Sequence, residues 1–317
     1  MTSIPATSTL HPAAPARARI VFAHANSFPA GTYRVLFEAL RERGYALWAP
    51  EKLGHDPAYP VSDNWPHLVQ QLADFVLQQV AAPGSGTAAA PPLYLVGHSL
   101  GGYLSLMCAA RHPRLGGQGL AGVVLLDAPL LGGWRARALQ AAKRTRLIGA
   151  VSPGQVSRKR RQSWPDAEAA LAHFAHKPTF ARWDARVLRD YVAHGTHEVA
   201  CPDGSSKRVL SFEREIETRI YDTLPHQLEA LLRRHPLACP LAYIGGSDSV
   251  EMRQVGMDLT QRLLGPQPGA RLQMLDGGHL FPMEQPAATA AALERALLAL
   301  SAQGAFNASN PPTPARR

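Results

Sequence analysis

The chain has 317 residues, 46% of them hydrophobic, so it is long enough for one large domain with a sizeable insertion or for two small domains. Its formal net charge is +9 at pH 7, but no nucleic-acid recognition motif accompanies the charge, so we expect no nucleic-acid partner. No apolar run approaches the roughly 18 residues that a membrane span needs. The three scattered cysteines indicate neither a disulfide framework nor a zinc site, and we expect a cytoplasmic protein.

Predicted strands and helices alternate through the first part of the chain. Residues 19–23 form a short apolar run, and residues 33–43 then place apolar side chains on one face of a helix. The same order recurs, and the predicted strands of this part are residues 19–23, 45–49, 93–96 and 122–126. Parallel neighbours require crossover connections, so the alternation predicts an α/β fold with a doubly wound, mostly parallel sheet.

The alternation stops after the strand that ends at Leu126. The next hundred or so residues are rich in Arg and interrupted by Pro and Gly, and they predict a helical segment that we call the insertion. Strand patterns resume at residues 241–244 and 272–275, and a long helix follows from about Pro286. The predicted units are a flexible leader (1–18), an α/β core (19–131 and 237–304), the insertion (132–236) and a flexible tail (305–317).

A serine occupies an abrupt turn between the third predicted strand and the next helix. The segment Gly97-His98-Ser99-Leu100-Gly101 matches the G-x-S-x-G nucleophile elbow. Side chains two positions from Ser99 would collide in so tight a turn, and glycine removes them. We therefore predict that Ser99 is a nucleophile whose hydroxyl lies above the sheet at the N-terminus of a helix.

Polar residues follow five of the predicted strands. Because the carboxyl ends of parallel strands meet at one edge of a sheet, these side chains are expected to share one region. A serine nucleophile needs a base to accept its proton, and the base needs a carboxylate to fix its tautomer. The residues that follow the strands include all three types: His24, Ser99, Asp127, Asp248 and His279.

This chain resembles the α/β-hydrolase superfamily, in particular its capped, serine-esterase-like branch. The resemblance extends from Ile20 to about Leu300. It is carried by His24-Ala25-Asn26, Gly97-His98-Ser99-Leu100-Gly101-Gly102, Gly245-Gly246-Ser247-Asp248 and Gly277-Gly278-His279-Leu280-Phe281-Pro282. The first of these segments departs from the family's usual His-Gly, because Ala25 stands in place of glycine.

The resemblance implies a catalytic triad of Ser99, Asp248 and His279. Asp248 is preferred as the acid because it stands at the superfamily's usual site, behind a glycine-rich turn. Asp127 is the alternative acid, since some branches use the end of the preceding strand. For the oxyanion, the resemblance implies two donors, the backbone N–H of Leu100 and a donor at Asn26.

The superfamily places its cap where the insertion lies, which implies a helical cap over the site. Residues 135–161 of the insertion carry nine Lys and Arg and no acidic residue. This basic segment either attracts an anionic substrate or forms a solvated face of the cap, and the second reading is preferred. His173, His176, His194 and His197 have helical spacing, but no complete metal-ligand set is recognisable, so we expect no metal and no cofactor.

We therefore expect a serine hydrolase that cleaves a carboxylic ester or thioester of a small molecule, with an anionic substrate as an option. Two alternatives use the same triad: a C–C bond hydrolase, and a cofactor-free haloperoxidase or perhydrolase. A non-catalytic binding protein that kept the fold is a further alternative. The substrate and the oligomeric state are not specified by the residues.

Overall fold

The computed structural model describes residues 16–80, 90–117, 119–145 and 154–309. Its strands, in chain order, are β1 (Ala18–Ala23), β2 (Tyr45–Trp48), β3 (Leu93–His98), β4 (Gly122–Leu126), β5 (Ser163–Trp164), β6 (Thr196–Ala200), β7 (Ser206–Leu210), β8 (Leu241–Gly246) and β9 (Leu272–Leu275). Six of them form one sheet in the order β2-β1-β3-β4-β8-β9, and every neighbouring pair is parallel. The predicted parallel, doubly wound sheet is thus confirmed.

The helices cover both faces of this sheet. They are α1 (Arg34–Glu42), α2 (Pro66–Gln79), α3 (Leu100–Arg111), α4 (Gly133–Arg144), α5 (Gly154–Arg158), α6 (Ala167–Ala175), α7 (Ala185–Gly195), α8 (Arg214–Asp222), α9 (Leu228–Arg234), α10 (Val250–Val255), α11 (Asp258–Leu264), α12 (Phe281–Glu284) and α13 (Pro286–Ser309). Short 3₁₀ turns lie at Ala30–Tyr33, Pro178–Phe180 and Gly269–Arg271.

Two hydrophobic cores lie on opposite faces of the sheet. Helices α2 and α3 pack into one core, and α1 and α13 pack into the other. Successive side chains of a strand pack into opposite cores: in β4, Val123 packs into the first core and Val124 into the second. Strands β3, β4 and β8 are buried along their whole length, as expected for central strands covered on both sides.

The insertion separates β4 from β8, which are neighbours in the sheet. It contains helices α4 to α9 but also a three-stranded antiparallel sheet in the order β5-β7-β6. The predicted helical insertion therefore also contains a small antiparallel sheet that the sequence did not predict. Strand β6 is Thr-His-Glu-Val-Ala and is exposed at all but its first residue. Such a polar strand has no apolar run that a sequence pattern could detect.

The insertion is held to the core by a strained turn that precedes α2. Asn64 and Trp65 have consecutive positive φ values of 60° and 57°, which is uncommon outside glycine. The Asn64 side-chain oxygen accepts hydrogen bonds from the backbone N–H groups of His226 and Gln227 at 2.9 and 3.1 Å. The Trp65 indole N–H donates to the carbonyl of Ile220 at 3.2 Å. This turn therefore fixes the chain between α8 and α9.

The two ends of the described chain differ slightly from the predicted boundaries. Strand β1 begins at Ala18, at the end of the predicted leader, and residues 1–15 lie outside the described residues. Helix α13 continues to Ser309, so the first part of the predicted tail is helical, and residues 310–317 again lie outside. Among the described residues, no helix is long and apolar enough to cross a membrane.

Candidate active site

Ser99 sits at the sharp turn that the elbow motif predicts, between the end of β3 and the start of α3. Its backbone has φ 54° and ψ −113°, a conformation that costs energy for a residue with a side chain. The flanking glycines are sterically required. A Cβ atom on Gly97 would lie 2.1 Å from the Gly101 carbonyl oxygen, and one on Gly101 would lie 1.9 Å from the Ala23 carbonyl oxygen.

His279 lies in the loop after β9 and reaches back to the elbow. Its Nε2 is 2.9 Å from the Ser99 Oγ, so the hydroxyl can donate to a neutral imidazole. Its Nδ1 is 2.6 Å from Asp127 Oδ2, and the Nδ1–H donates to that carboxylate. Serine, imidazole and carboxylate thus form one continuous line of hydrogen bonds, the arrangement that activates a serine nucleophile.

The Asp127 carboxylate is completely buried, yet each of its oxygens is hydrogen-bonded. Oδ1 accepts the backbone N–H of Gly246 at 2.9 Å and the Tyr243 hydroxyl at 3.5 Å. Oδ2 accepts the Ser249 hydroxyl at 2.6 Å in addition to His279. Burial of a carboxylate is tolerated only where such donors replace water. The surroundings of Asp127 are therefore suited to an ionised acid.

Asp248 lies in a different environment. Its side chain is 54% exposed and pairs with Arg182 at 3.1 Å. Its backbone N–H donates to the Gly277 carbonyl at 2.9 Å. The position opposite the Nδ1 of His279, which the sequence-based preference assigned to Asp248, is taken by Asp127. The geometry therefore favours Asp127 over Asp248 as the acid that orients His279.

The pKa of His279 reflects two opposed influences. Burial of the imidazole lowers its pKa, but the hydrogen bond and the negative charge of Asp127, with a smaller contribution from Glu251, outweigh burial. The net result is a pKa raised above the ordinary histidine value. An imidazolium that the buried carboxylate stabilises is what a proton-accepting histidine needs during turnover.

The two residues predicted to supply oxyanion donors lie on adjoining segments. Leu100 is the first residue of α3, where backbone N–H groups have no partner within the helix. The loop after β1, which contains Asn26, meets that helix end, because a Cβ on Gly101 would also lie 2.8 Å from the His24 carbonyl oxygen. The buried Asn26 side chain itself donates to the Glu217 carbonyl of α8 at 3.1 Å. Asn26 thereby links this loop to the insertion.

His24 supports the same loop from within. Its Nδ1 is 2.8 Å from the Ala25 carbonyl oxygen, and its Nε2 is 2.9 Å from the backbone nitrogen of Leu53. The carbonyl can only accept, so Nδ1 carries the proton and Nε2 accepts the Leu53 N–H. Burial lowers the pKa of His24 to about 4, and this cause outweighs the Ala25 hydrogen bond. His24 is therefore a neutral, fully bonded residue of the loop.

The basic segment of the insertion is partly neutralised by acidic partners. Lys143 contacts Asp63, and a nearly buried pair joins Arg160 to Glu217 at 3.0 Å. Arg146 lies outside the described residues. These pairs reduce the net charge that the segment presents to a substrate.

The histidines with helical spacing are not gathered into a ligand set. His173 packs against the Trp164 ring at 5.5 Å, and His194 packs against Gly31. Over the described ranges, no group of three or more His, Cys, Asp or Glu residues could hold a metal ion.

Comparison with known proteins gives the family. The model of the alpha/beta hydrolase family matches residues 20–292, and no curated protein matches the chain in sequence. The structure of E-2-(acetamidomethylene)succinate hydrolase is similar at a TM-score of 0.61 and 20% identity, over 87% of this chain and 90% of that one. The thioesterase domain from the curacin biosynthetic pathway gives a TM-score of 0.57 at 20% identity, over 86% and 89%.

A thermophilic esterase from Thermogutta terrifontis gives a TM-score of 0.55 at 18% identity, over 90% of this chain and 92% of that one. At these identities the structural matches establish a common fold. The family-model match, by contrast, spans most of the chain and includes both the elbow and the loop that carries His279. The chain belongs to the alpha/beta hydrolase family.

Proposed function

We propose that the protein hydrolyses a carboxylic ester or thioester through an acyl-enzyme formed on Ser99. One observation carries the proposal. Two hydrogen bonds connect Ser99 Oγ to the His279 imidazole and that imidazole to the Asp127 carboxylate, with donor–acceptor distances of 2.9 and 2.6 Å. A strained backbone at Ser99 supports it, because such strain is typical of functional residues.

In the acylation step, Ser99 Oγ attacks the carbonyl carbon of the substrate while its proton passes to His279 Nε2. The carbonyl oxygen becomes an oxyanion, which the backbone N–H of Leu100 and a donor at Asn26 stabilise. The bond to the leaving oxygen or sulfur then breaks. The proton on His279 moves to the leaving group, which departs as an alcohol or thiol, and the acyl group remains on Ser99.

In the deacylation step, a water molecule takes the place of the leaving group. His279 Nε2 accepts one proton of the water, and the resulting hydroxide equivalent attacks the acyl carbon. The bond to Ser99 Oγ breaks, and His279 returns the proton to that oxygen. Asp127 stays ionised in both steps, holds the Nδ1–H tautomer and stabilises the imidazolium. These steps use only side chains, backbone amides and water.

Residues of the insertion complete the proposed site as a cap. Helix α8 contacts the loop after β1, which carries Asn26 and which we call the oxyanion loop, through the hydrogen bond from Asn26 to the Glu217 carbonyl. Structural neighbours that are named as an esterase and a thioesterase domain support ester and thioester as the substrate classes. The chain length of the acyl group is the property to be measured first.

Replacing Ser99 with Ala tests the proposal. Turnover of p-nitrophenyl esters of increasing chain length should fall by at least about 10⁴-fold, and labelling by a serine-directed fluorophosphonate should disappear. Ser105→Ala is the matched control, because Ser105 is a buried serine on the helix that follows Ser99, and it should label like the wild type. Labelling that persists in Ser99→Ala would identify a different nucleophile and refute the proposal.

A further inference from the structure

The residue that precedes the nucleophile is hydrogen-bonded at both ring nitrogens. His98 is completely buried. Its Nε2 is 2.9 Å from the carbonyl oxygen of His279, and its Nδ1 is 2.7 Å from the Tyr33 hydroxyl. Burial, reinforced by the nearby His279, lowers the pKa of His98 to about 3. The ring is therefore neutral and carries a single proton at any pH at which the protein works.

The partners decide where that proton lies. A backbone carbonyl can only accept, so Nε2 carries the hydrogen and donates to His279. Nδ1 is then an acceptor, and the Tyr33 hydroxyl donates to it. The Tyr33 oxygen in turn accepts the backbone N–H of Ala25 at 3.1 Å. Burial raises the pKa of the Tyr33 phenol, which keeps this hydroxyl protonated. Each donor in the network has one acceptor, and no second arrangement satisfies all of them.

The network joins three segments whose relative positions matter for the proposed reaction. Ala25 immediately precedes Asn26 in the loop after β1. His98 immediately precedes Ser99 in the elbow. The carbonyl at the far end belongs to His279, whose imidazole is the proposed base. The three segments come from β1, β3 and the loop after β9, and this network links the first to the third through the elbow.

Packing makes the network stiff. Tyr33 is 2% exposed, and its ring lies 4.7 Å from Phe22 and 6.0 Å from Phe37, centroid to centroid. The rings of Tyr33 and His98 meet edge to face at 5.9 Å. A hydrogen-bonded group in such a core can move only if its neighbours move as well. These side chains therefore form a tightly packed link between the backbone of the oxyanion loop and the backbone of His279.

We propose that Tyr33 and His98 are positioning residues that hold the oxyanion loop and His279 at a fixed separation around Ser99. The proposal rests on the proposed function, since it concerns the geometry of that reaction. Oxyanion donors act on the transition state more than on the bound substrate. Loss of this positioning should therefore lower kcat and leave KM unchanged.

The test replaces Tyr33 with Phe, which keeps the ring and removes the hydroxyl. With the p-nitrophenyl ester that the wild type turns over best, kcat should fall by about 10- to 100-fold at unchanged KM. The rate of fluorophosphonate labelling of Ser99 should fall by a similar factor. Tyr94→Phe is the matched control. Tyr94 is a buried tyrosine at the other end of β3, and its hydroxyl is bonded to Ser301 at 2.6 Å. This variant should lower the thermal unfolding temperature to a similar extent and leave kcat unchanged.

A second variant, His98→Asn, tests the hydrogen bond from His98 to the His279 carbonyl. It also serves as the test if Tyr33→Phe does not fold. In His98→Asn the side-chain oxygen can still accept from Tyr33, but no group reaches the His279 carbonyl. We expect the same fall in kcat, together with a shift in the pH dependence of kcat, because the backbone of His279 loses its hydrogen bond from His98.

The outcomes separate the two proposals. Wild-type kcat and labelling rate in both Tyr33→Phe and His98→Asn would overturn the positioning role and leave the proposed function intact. An equal fall of kcat in Tyr33→Phe and Tyr94→Phe would also overturn the positioning role, because both falls would then result from lost stability. A wild-type protein that neither hydrolyses esters nor labels at Ser99 would overturn the proposed function itself.

Discussion

Two aspartates follow neighbouring strands of the sheet, and their surroundings are opposite. Asp127 follows β4, is completely buried and accepts hydrogen bonds from Gly246, Ser249 and His279. Asp248 follows β8, is 54% exposed and pairs with Arg182, which is 50% exposed. Both lie at the carboxyl edge of the sheet, so strand order alone does not distinguish them. The two aspartates are distinguished by the number of hydrogen-bond donors around each carboxylate.

Two of the donors to Asp127 come from the segment that carries Asp248. Gly246 and Ser249 flank Asp248 in sequence, and both bond to the Asp127 carboxylate. The end of β8 and the loop after it therefore donate hydrogen bonds to the acid that follows the adjacent strand, whereas Asp248 in that loop is exposed. A buried carboxylate with this many donors is held in one orientation, whereas an exposed ion pair contributes little to either position or stability.

The largest expected difference in turnover is between Asp127→Asn and Asp248→Asn, which each replace one carboxylate with an amide. Asp127→Asn should lower turnover by about 10⁴-fold, because an amide at this position favours the wrong tautomer of His279. Asp248→Asn should change turnover by less than about threefold, because its partner is an exposed arginine. The measurement is kcat for a p-nitrophenyl ester in both variants. A large loss in Asp248→Asn with an active Asp127→Asn would reverse our assignment of the acid.

A smaller effect is expected when one donor to Asp127 is removed. Ser249→Ala deletes the hydroxyl that bonds to Oδ2 and should lower kcat by about 10-fold, as hydrogen bonds to charged groups are the stronger ones. The Ser249 hydroxyl also caps α10 by accepting the Met252 N–H at 3.2 Å, so the protein should lose stability too.

Asp166→Ala separates these two consequences of Ser249→Ala. Asp166 caps α6 by accepting the Ala169 N–H at 2.7 Å, and it is not among the hydrogen-bond partners of Ser99, Asp127 or His279. Its loss should lower the unfolding temperature without lowering kcat. If the two variants lose activity in proportion to their loss of stability, Ser249 acts only as a helix cap.

The smallest effect concerns the pH profile. Only neutral His279 can accept the serine proton, so kcat/KM should rise with pH through an apparent pKa above the ordinary value of about 6.5. Asp248→Asn should leave this pKa unchanged. Asp127→Asn should lower it, because burial, which lowers the pKa, then acts without the opposing carboxylate. A lowered pKa in Asp248→Asn instead would show that this residue, despite its exposure, governs the base.

The elements that sequence patterns predict well here are those with a strong local signal. The buried strands are continuous apolar runs, and Ser99 and His279 stand beside glycines that tight turns require. The choice between Asp127 and Asp248 depends on a backbone φ of 40° at Asp127 and on donors more than a hundred residues away, which no local pattern contains. Sequence patterns do not indicate the three-stranded sheet of the insertion, because β6 and β7 are short and polar and neither has a buried apolar run.

The separation of β4 from β8 along the chain has a consequence for synthesis. Ser249 lies 122 positions after Asp127, and His279 lies 152 positions after it. At a translation rate of about 5–20 residues per second, roughly 6–24 s pass between the emergence of Asp127 and that of Ser249. During that interval the apolar strand Gly122–Leu126 has an unpaired edge where β8 will later bind, and such an edge is prone to pairing with other chains. A nascent chain of this protein therefore exposes that edge until β8 emerges, and a product that stops before residue 279 lacks the histidine of the proposed triad.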